Sequence, residues 1–229
     1  MSLTGTSPLV APLTGRDTGL SDAGAMFSAV TPTPGTGILG FATPTTFAIG
    51  ELNPFVFLYN GGNLNIYPFY ISLTVTAAPV AGVLPYLTVF VDQGLRGNVT
   101  GTVATINNTN IGSQLPLSPV GFNPSAVRSG AQVTVGLNVL TAATPQRRIV
   151  ANRRIRGVLP VVSDQYTLSF GSPDPTSTGM PIEGTLILDR VINMPAIVVG
   201  PGQCMGIVYW AASNSTGVTA EVEFCYGER

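Results

Sequence analysis

Glu221 and Glu223 alternate with Val222 and Phe224. On a strand, that spacing places both carboxylates on one face, the arrangement of paired acids in a jelly-roll glycosidase. Such an enzyme also needs an aromatic floor for the sugar ring, and only Tyr209 and Trp210 stand nearby in the sequence. A solvent-facing or salt-bridged strand face is the plainer reading of the two glutamates. A second constellation is basic: Arg147, Arg148, Arg153, Arg154 and Arg156 hold half of the chain's ten basic residues. In an uninterrupted strand, 154 and 156 share one face, while 153 shares the other with Ile149 and Ile155. The run therefore has three readings: intrachain pairing with Asp164, Asp189, Glu221 and Glu223, contact with carboxylates of a neighbouring subunit, or a nucleic-acid site, which the absence of interleaved aromatics disfavours. Arginine suits the second because its planar fork bonds carboxylates bidentately. Cys204 and Cys225 fall in neighbouring strand-like runs, which leaves open two buried thiols or a disulfide between paired strands.

What is missing narrows the chemistry. The chain has no His, and its ten basic residues are all Arg. Ser-His-Asp and Cys-His nucleophiles, histidine-ligated metals and lysine Schiff bases therefore have no residues within one chain. We expect no enzyme activity, no metal and no cofactor. Net charge is −1, so no global field favours nucleic acid, whose non-specific binding requires several phosphates to be neutralised. Apolar runs are short and interrupted, and the N-terminus lacks a basic start followed by an apolar stretch, so neither a membrane span nor a secretory signal is expected.

The elements that must position these residues are strands. Charged residues make up 9% of the 229, against an average of about 25%, and 27 Gly with 19 Pro imply many turns. Residues 1–50 carry frequent Pro and Gly among scattered apolar side chains, including Leu9, Leu13, Phe27 and Phe41. We expect an extended arm there that reaches another subunit or another protein, with these four residues at a subunit interface; the alternative is that it packs on its own domain. From 55 onward, β-branched and aromatic runs bounded by Gly, Asn and Pro predict strands near 55–59, 66–77, 86–92, 99–106, 131–140, 147–161, 165–171, 184–192, 196–199, 203–211 and 218–226. In 70–76 the period is two, with Ile71, Leu73 and Val75 on one face and hydroxyls on the other. The pairs 133–140 with 149–159, and 203–210 with 218–226, read as hairpins. Asn60-Gly61-Gly62-Asn63 reads as a turn. The expected architecture is all-β: an antiparallel, jelly-roll-like β-sandwich over 51–229, preceded by the Pro/Gly-rich arm over 1–50.

Several phrases, Arg153-Arg-Ile-Arg-Gly-Val-Leu-Pro-Val-Val162, Gln165-Tyr-Thr-Leu-Ser-Phe-Gly171, Val199-Gly-Pro-Gly-Gln-Cys204 and Glu223-Phe-Cys-Tyr-Gly-Glu-Arg229, carry a resemblance. Over roughly residues 55–229 the chain resembles small β-rich virion proteins of tailed bacteriophages. The resemblance implies a capsid cement or decoration protein, made in the host cytoplasm and placed on the capsid surface. It would be a homotrimer sitting over junctions of the major capsid protein. The competing expectation is a fibre-tip or receptor-binding protein that recognises host glycan through Tyr209, Trp210 and loop residues.

Overall fold

The computed structural model describes residues 25–40, 54–80, 86–94, 97–98, 102–109, 132–135, 139–140, 147–154, 159–171, 189–210 and 217–229. Among them there is no helix, and the strands are, in chain order, β1 (Met26–Val30), β2 (Ile38–Leu39), β3 (Val56–Tyr59), β4 (Ile66–Ala77), β5 (Tyr86–Asp92), β6 (Gly97–Asn98), β7 (Thr102–Val103), β8 (Thr105–Asn108), β9 (Gln132–Val135), β10 (Val139–Leu140), β11 (Arg148–Arg154), β12 (Gln165–Phe170), β13 (Asp189–Met194), β14 (Cys204–Trp210) and β15 (Thr219–Glu228). The first sheet runs β13-β12-β4-β15-β1-β8, with β2 also on β15. The second runs β11-β5-β14-β3-β9-β7, and β6 pairs with β10 apart from both. The protein is an all-β sandwich.

The period of two in β4 does what the sequence requires. Ile71, Leu73 and Val75 are buried while Ser72, Thr74 and Thr76 are half-buried on the other face. Facing strands share one core: Phe27, Val222, Phe224 and Tyr226 of the first sheet join Val56, Leu58, Leu87, Val89, Val133, Met205 and Ile207 of the second. Pro68 lies inside β4 yet costs no ladder bond to β12, whose pairing with β4 ends at Tyr70. Its other neighbour is a bulge, where Cys225 opposes Tyr70 and Tyr226 opposes Pro68. Edges and bulges are where a residue without an N–H is tolerated in a sheet.

Four sequence expectations change. Residues 26–30 are not an arm: β1 is inserted between β15 and β8, and Phe27 is 1% exposed and stacked on Tyr226 at 5.7 Å. Phe27 therefore belongs to its own chain's core rather than to a subunit interface. Next, β14 and β15 are not a hairpin, since they lie in different sheets, and β9 pairs with β3 and β7 while β11 pairs with β5. The run expected as one strand over 99–106 also divides, β7 joining the second sheet and β8 the first, with Ala104 buried between them. Finally, β12 and β13 are parallel, in an otherwise antiparallel sandwich. Leu9, Leu13 and Phe41 lie outside the described residues.

Candidate functional site

The arginine run forms β11, which among the described residues pairs with β5 alone and so ends the strand order of the second sheet. Arg148 opposes Val91 and Ile149 opposes Phe90; a bulge follows, after which Ala151 opposes Val89, Asn152 opposes Thr88 and Arg153 opposes Leu87. Directly opposed residues share a sheet face. Arg148, Ala151 and Arg153 thus take the core-facing side, with Ala151 buried and the two arginines reaching solvent. Ile149 takes the outer side with Phe90. The bulge overturns the simple alternation expected from sequence, in which Arg153 and Ile149 shared a face. Bulges and inward-facing charges are also how edge strands resist unwanted pairing.

Arg147, one residue before β11, is not a surface group. Its Nε donates to Asp92 Oδ2 at 3.1 Å, and the two side chains are 1% and 0% exposed. The guanidinium lies 5.3 Å from the centroid of Phe90, whose ring lies over Gly206. Arg147 is therefore removed from the expected subunit interface, because its charge is used inside its own chain. Its partner is Asp92, none of the four acids the sequence suggested. Alternation through β5 marks this aspartate in retrospect, placing Asp92 on the face of Thr88 and Phe90. Arg154 opposes Tyr86, and Arg156 lies outside the described residues.

Around this edge the outer face of the second sheet is tied together. Trp210 stacks on Tyr86 at 5.1 Å and donates its Nε1 proton to Thr88, whose hydroxyl donates to Asn152. Tyr209, the neighbouring residue, points the opposite way into the core and its buried hydroxyl has no hydrogen-bond partner. Burial holds that phenol well above the usual tyrosine range. Tyr209 and Trp210 therefore do not form the shared aromatic platform considered for a glycan. An open cavity of about 270 Å³ lies beside the edge, lined by Arg148, Val91, Val150, Gln93, Gln203 and residues 196–198.

The paired glutamates lie on the first sheet. Glu221 accepts from the backbone N–H of Gly35, and Glu223 accepts from the Tyr70 hydroxyl at 2.6 Å. Burial, then this hydrogen bond, raises the Tyr70 phenol above its ordinary range. Asp164 accepts from Val161 N and from the Tyr166 hydroxyl, closing the turn into β12. The acids proposed for the arginines thus have local structural tasks where the structure describes them.

Both cysteines are buried and unbonded, Cys204 in the second sheet and Cys225 in the first, so the disulfide reading is withdrawn. That reading failed with the hairpin it depended on. Burial pushes the Cys204 thiol up to about 12, assisted by Asp92. Among the described residues, no cluster of three His, Cys, Asp or Glu side chains could hold a metal ion.

Asn60 carries more than the expected turn. Its side-chain amide donates to Leu64 O and Val199 O, and its Oδ1 accepts from Gly62 N. The loop before β4 is thereby clamped to the turn before β14. Comparison with protein-family models, curated proteins and solved structures finds no match.

Proposed function

We propose that this chain is a structural virion protein, a cement or decoration protein that binds the major capsid protein on the outside of the shell and stabilises the shell against packaged DNA. The carrying observation is the pair of apolar tips on the sandwich. Ile66, at the start of β4, pairs with Glu228 and bridges to Val199, which sets exposed Leu64 and Val198 at one end. Near the other end of β4, Val75 bonds Ser163 and Asp164, and Ala77 pairs with Thr219, which pairs in turn with Leu39 of β2. Exposed Val161, Val162 and Leu39 lie there. Their exposures of 50%, 56% and 48% are large for aliphatic side chains in a chain with so few charges to solubilise it. A rigid sheet pair with aliphatic contacts at both tips can bridge two surfaces, and burial of such contacts returns about 25 cal/mol per Å² before ordering costs.

The test is direct. Gold-labelled protein imaged on particles should decorate the shell, and particles lacking it should release DNA at a lower temperature until purified protein is added back. Label confined to tail fibres, or unchanged DNA release, would overturn the proposal.

A further inference from the structure

We infer that one copy of this chain receives, on the outer face of its first sheet around Glu221 and Glu223, the arginine edge of a second copy formed by Arg148 and Arg153. The inference deepens the proposed function by naming surfaces for the homotrimer that the resemblance to decoration proteins implies.

The observation is a separation of charge by sign. Arg147 and Asp92 are consumed in a buried pair, and Asp164 and Glu228 are buried. The described side chains that reach solvent with a charge are Arg148 and Arg153 on the edge of the second sheet, Glu221 and Glu223 on the outer face of the first, and Arg229 past the end of β15, away from that pair.

The two surfaces also complement each other in hydrogen bonding. Arginine only donates, through five N–H groups in a fixed fork. The receiving face offers acceptors in register: Ser72 lies between Thr167 and Glu223, and Thr74 lies between Gln165 and Glu221. The Tyr70 hydroxyl occupies Glu223 Oε1 and fixes the carboxylate, while its second oxygen retains acceptor capacity for a guanidinium. Apolar area comes from the arginine side, where Arg148 lines the cavity of about 270 Å³ together with Val91, Val150 and Ile197.

Face and edge are different patches of one chain, so their contact is heterologous and closes into a ring when the rotation permits. A trimer is the small ring expected here. A two-fold dimer would instead require each face to meet the partner's edge twice across one axis.

The experiment uses the full chain and sedimentation velocity across protein concentration at low and high salt. Wild type should self-associate and weaken as salt rises. E221R/E223R and R148E/R153E should each weaken association by roughly tenfold or more, since like charges then face each other. The milder Glu223→Gln, which keeps an acceptor for Tyr70, should weaken it less, with far-ultraviolet spectra and melting temperature close to wild type. The chain carrying all four reversals should associate again and should not mix with wild type. Association unaffected by either double reversal, or a fourfold variant that stays dissociated while folded, overturns the face-to-edge contact and leaves a trimer of other geometry. A wild-type chain that is monomeric at every concentration overturns this inference and the expected homotrimer, while shell decoration by a monomer would leave the proposed function standing.

Discussion

Arg147 and Asp92 meet at 3.1 Å in a place where neither side chain touches solvent, with the guanidinium over the Phe90 ring. A buried pair gains little over a well-packed apolar pair, but removing one member leaves the other charge without compensation. Arg147→Ala should therefore destabilise the fold by about 3–5 kcal/mol, and Asp92→Ala similarly. The double variant R147M/D92L should recover most of that loss. Urea unfolding of the four proteins measures these losses and the recovery; equal stability of R147A and wild type would show that the pair is solvated.

Beneath that pair, Phe90 lies over Gly206, whose missing side chain is the space the ring occupies. A Cβ at 206 would collide with the ring carbons, so Gly206→Ala should cost about 1–3 kcal/mol as an overpacked core does. Phe90→Leu should cost stability alone yet reduce the penalty of G206A when combined with it. Additive losses in that double variant would refute the steric reading.

The layout of β4 was legible because Ile71, Leu73 and Val75 alternate with hydroxyls for long enough that only one register buries them. The same logic missed β1, whose five residues Met-Phe-Ser-Ala-Val alternate correctly but stand among Pro and Gly. Burial against Phe224 and Tyr226, not local composition, makes that segment a strand. Proximity in sequence misled in the other direction: β14 and β15 each complete a different sheet, so neighbouring strands did not pair and their cysteines never approached. At the arginine edge, one extra residue in the bulge between Ile149 and Ala151 reversed the faces assigned by counting. Alternation cannot reveal such a bulge, whereas it does place Asp92 beside Phe90.

Cys204 gives the fold a sensitivity to alkali. Its thiol is held up to about 12 by burial, above an ordinary value of 9.0. A raised folded-state value means that the unfolded chain loses its proton first as pH rises. The contribution is complete below about pH 9 and declines by about 1.4 kcal/mol per pH unit as pH climbs toward the folded value. Melting temperature should therefore fall between pH 9 and 12, and Cys204→Ala should melt with a shallower pH slope while starting from a lower temperature at pH 7. Thiol reagents should label Cys204 at neutral pH only after denaturant is added. A slope identical in C204A and wild type would assign the alkaline loss to other groups, the Tyr70 and Tyr209 phenols first, both of which are also raised.

The position of β1 makes residues 26–30 part of the folding unit. Met26 through Val30 pair with Gly227 through Glu223 on one side, and Phe27 through Val30 pair with Asn108 through Thr105 on the other. A chain beginning at residue 51 therefore lacks a central strand and the Phe27 ring stacked on Tyr226. Without it, two rows of backbone groups lose their partners and β8 loses its only described neighbour in the sheet. That truncated chain should lose cooperative thermal unfolding and its near-ultraviolet aromatic signal, whereas an arm held by other subunits would have left both intact. Phe27→Ala in the full chain should cost about 3–5 kcal/mol, as expected for a fully buried phenylalanine. A synthetic peptide covering residues 25–40, added to the truncated protein, should restore the aromatic signal by strand addition. A truncated chain that melts at the wild-type temperature without the peptide would return this segment to the role of an arm.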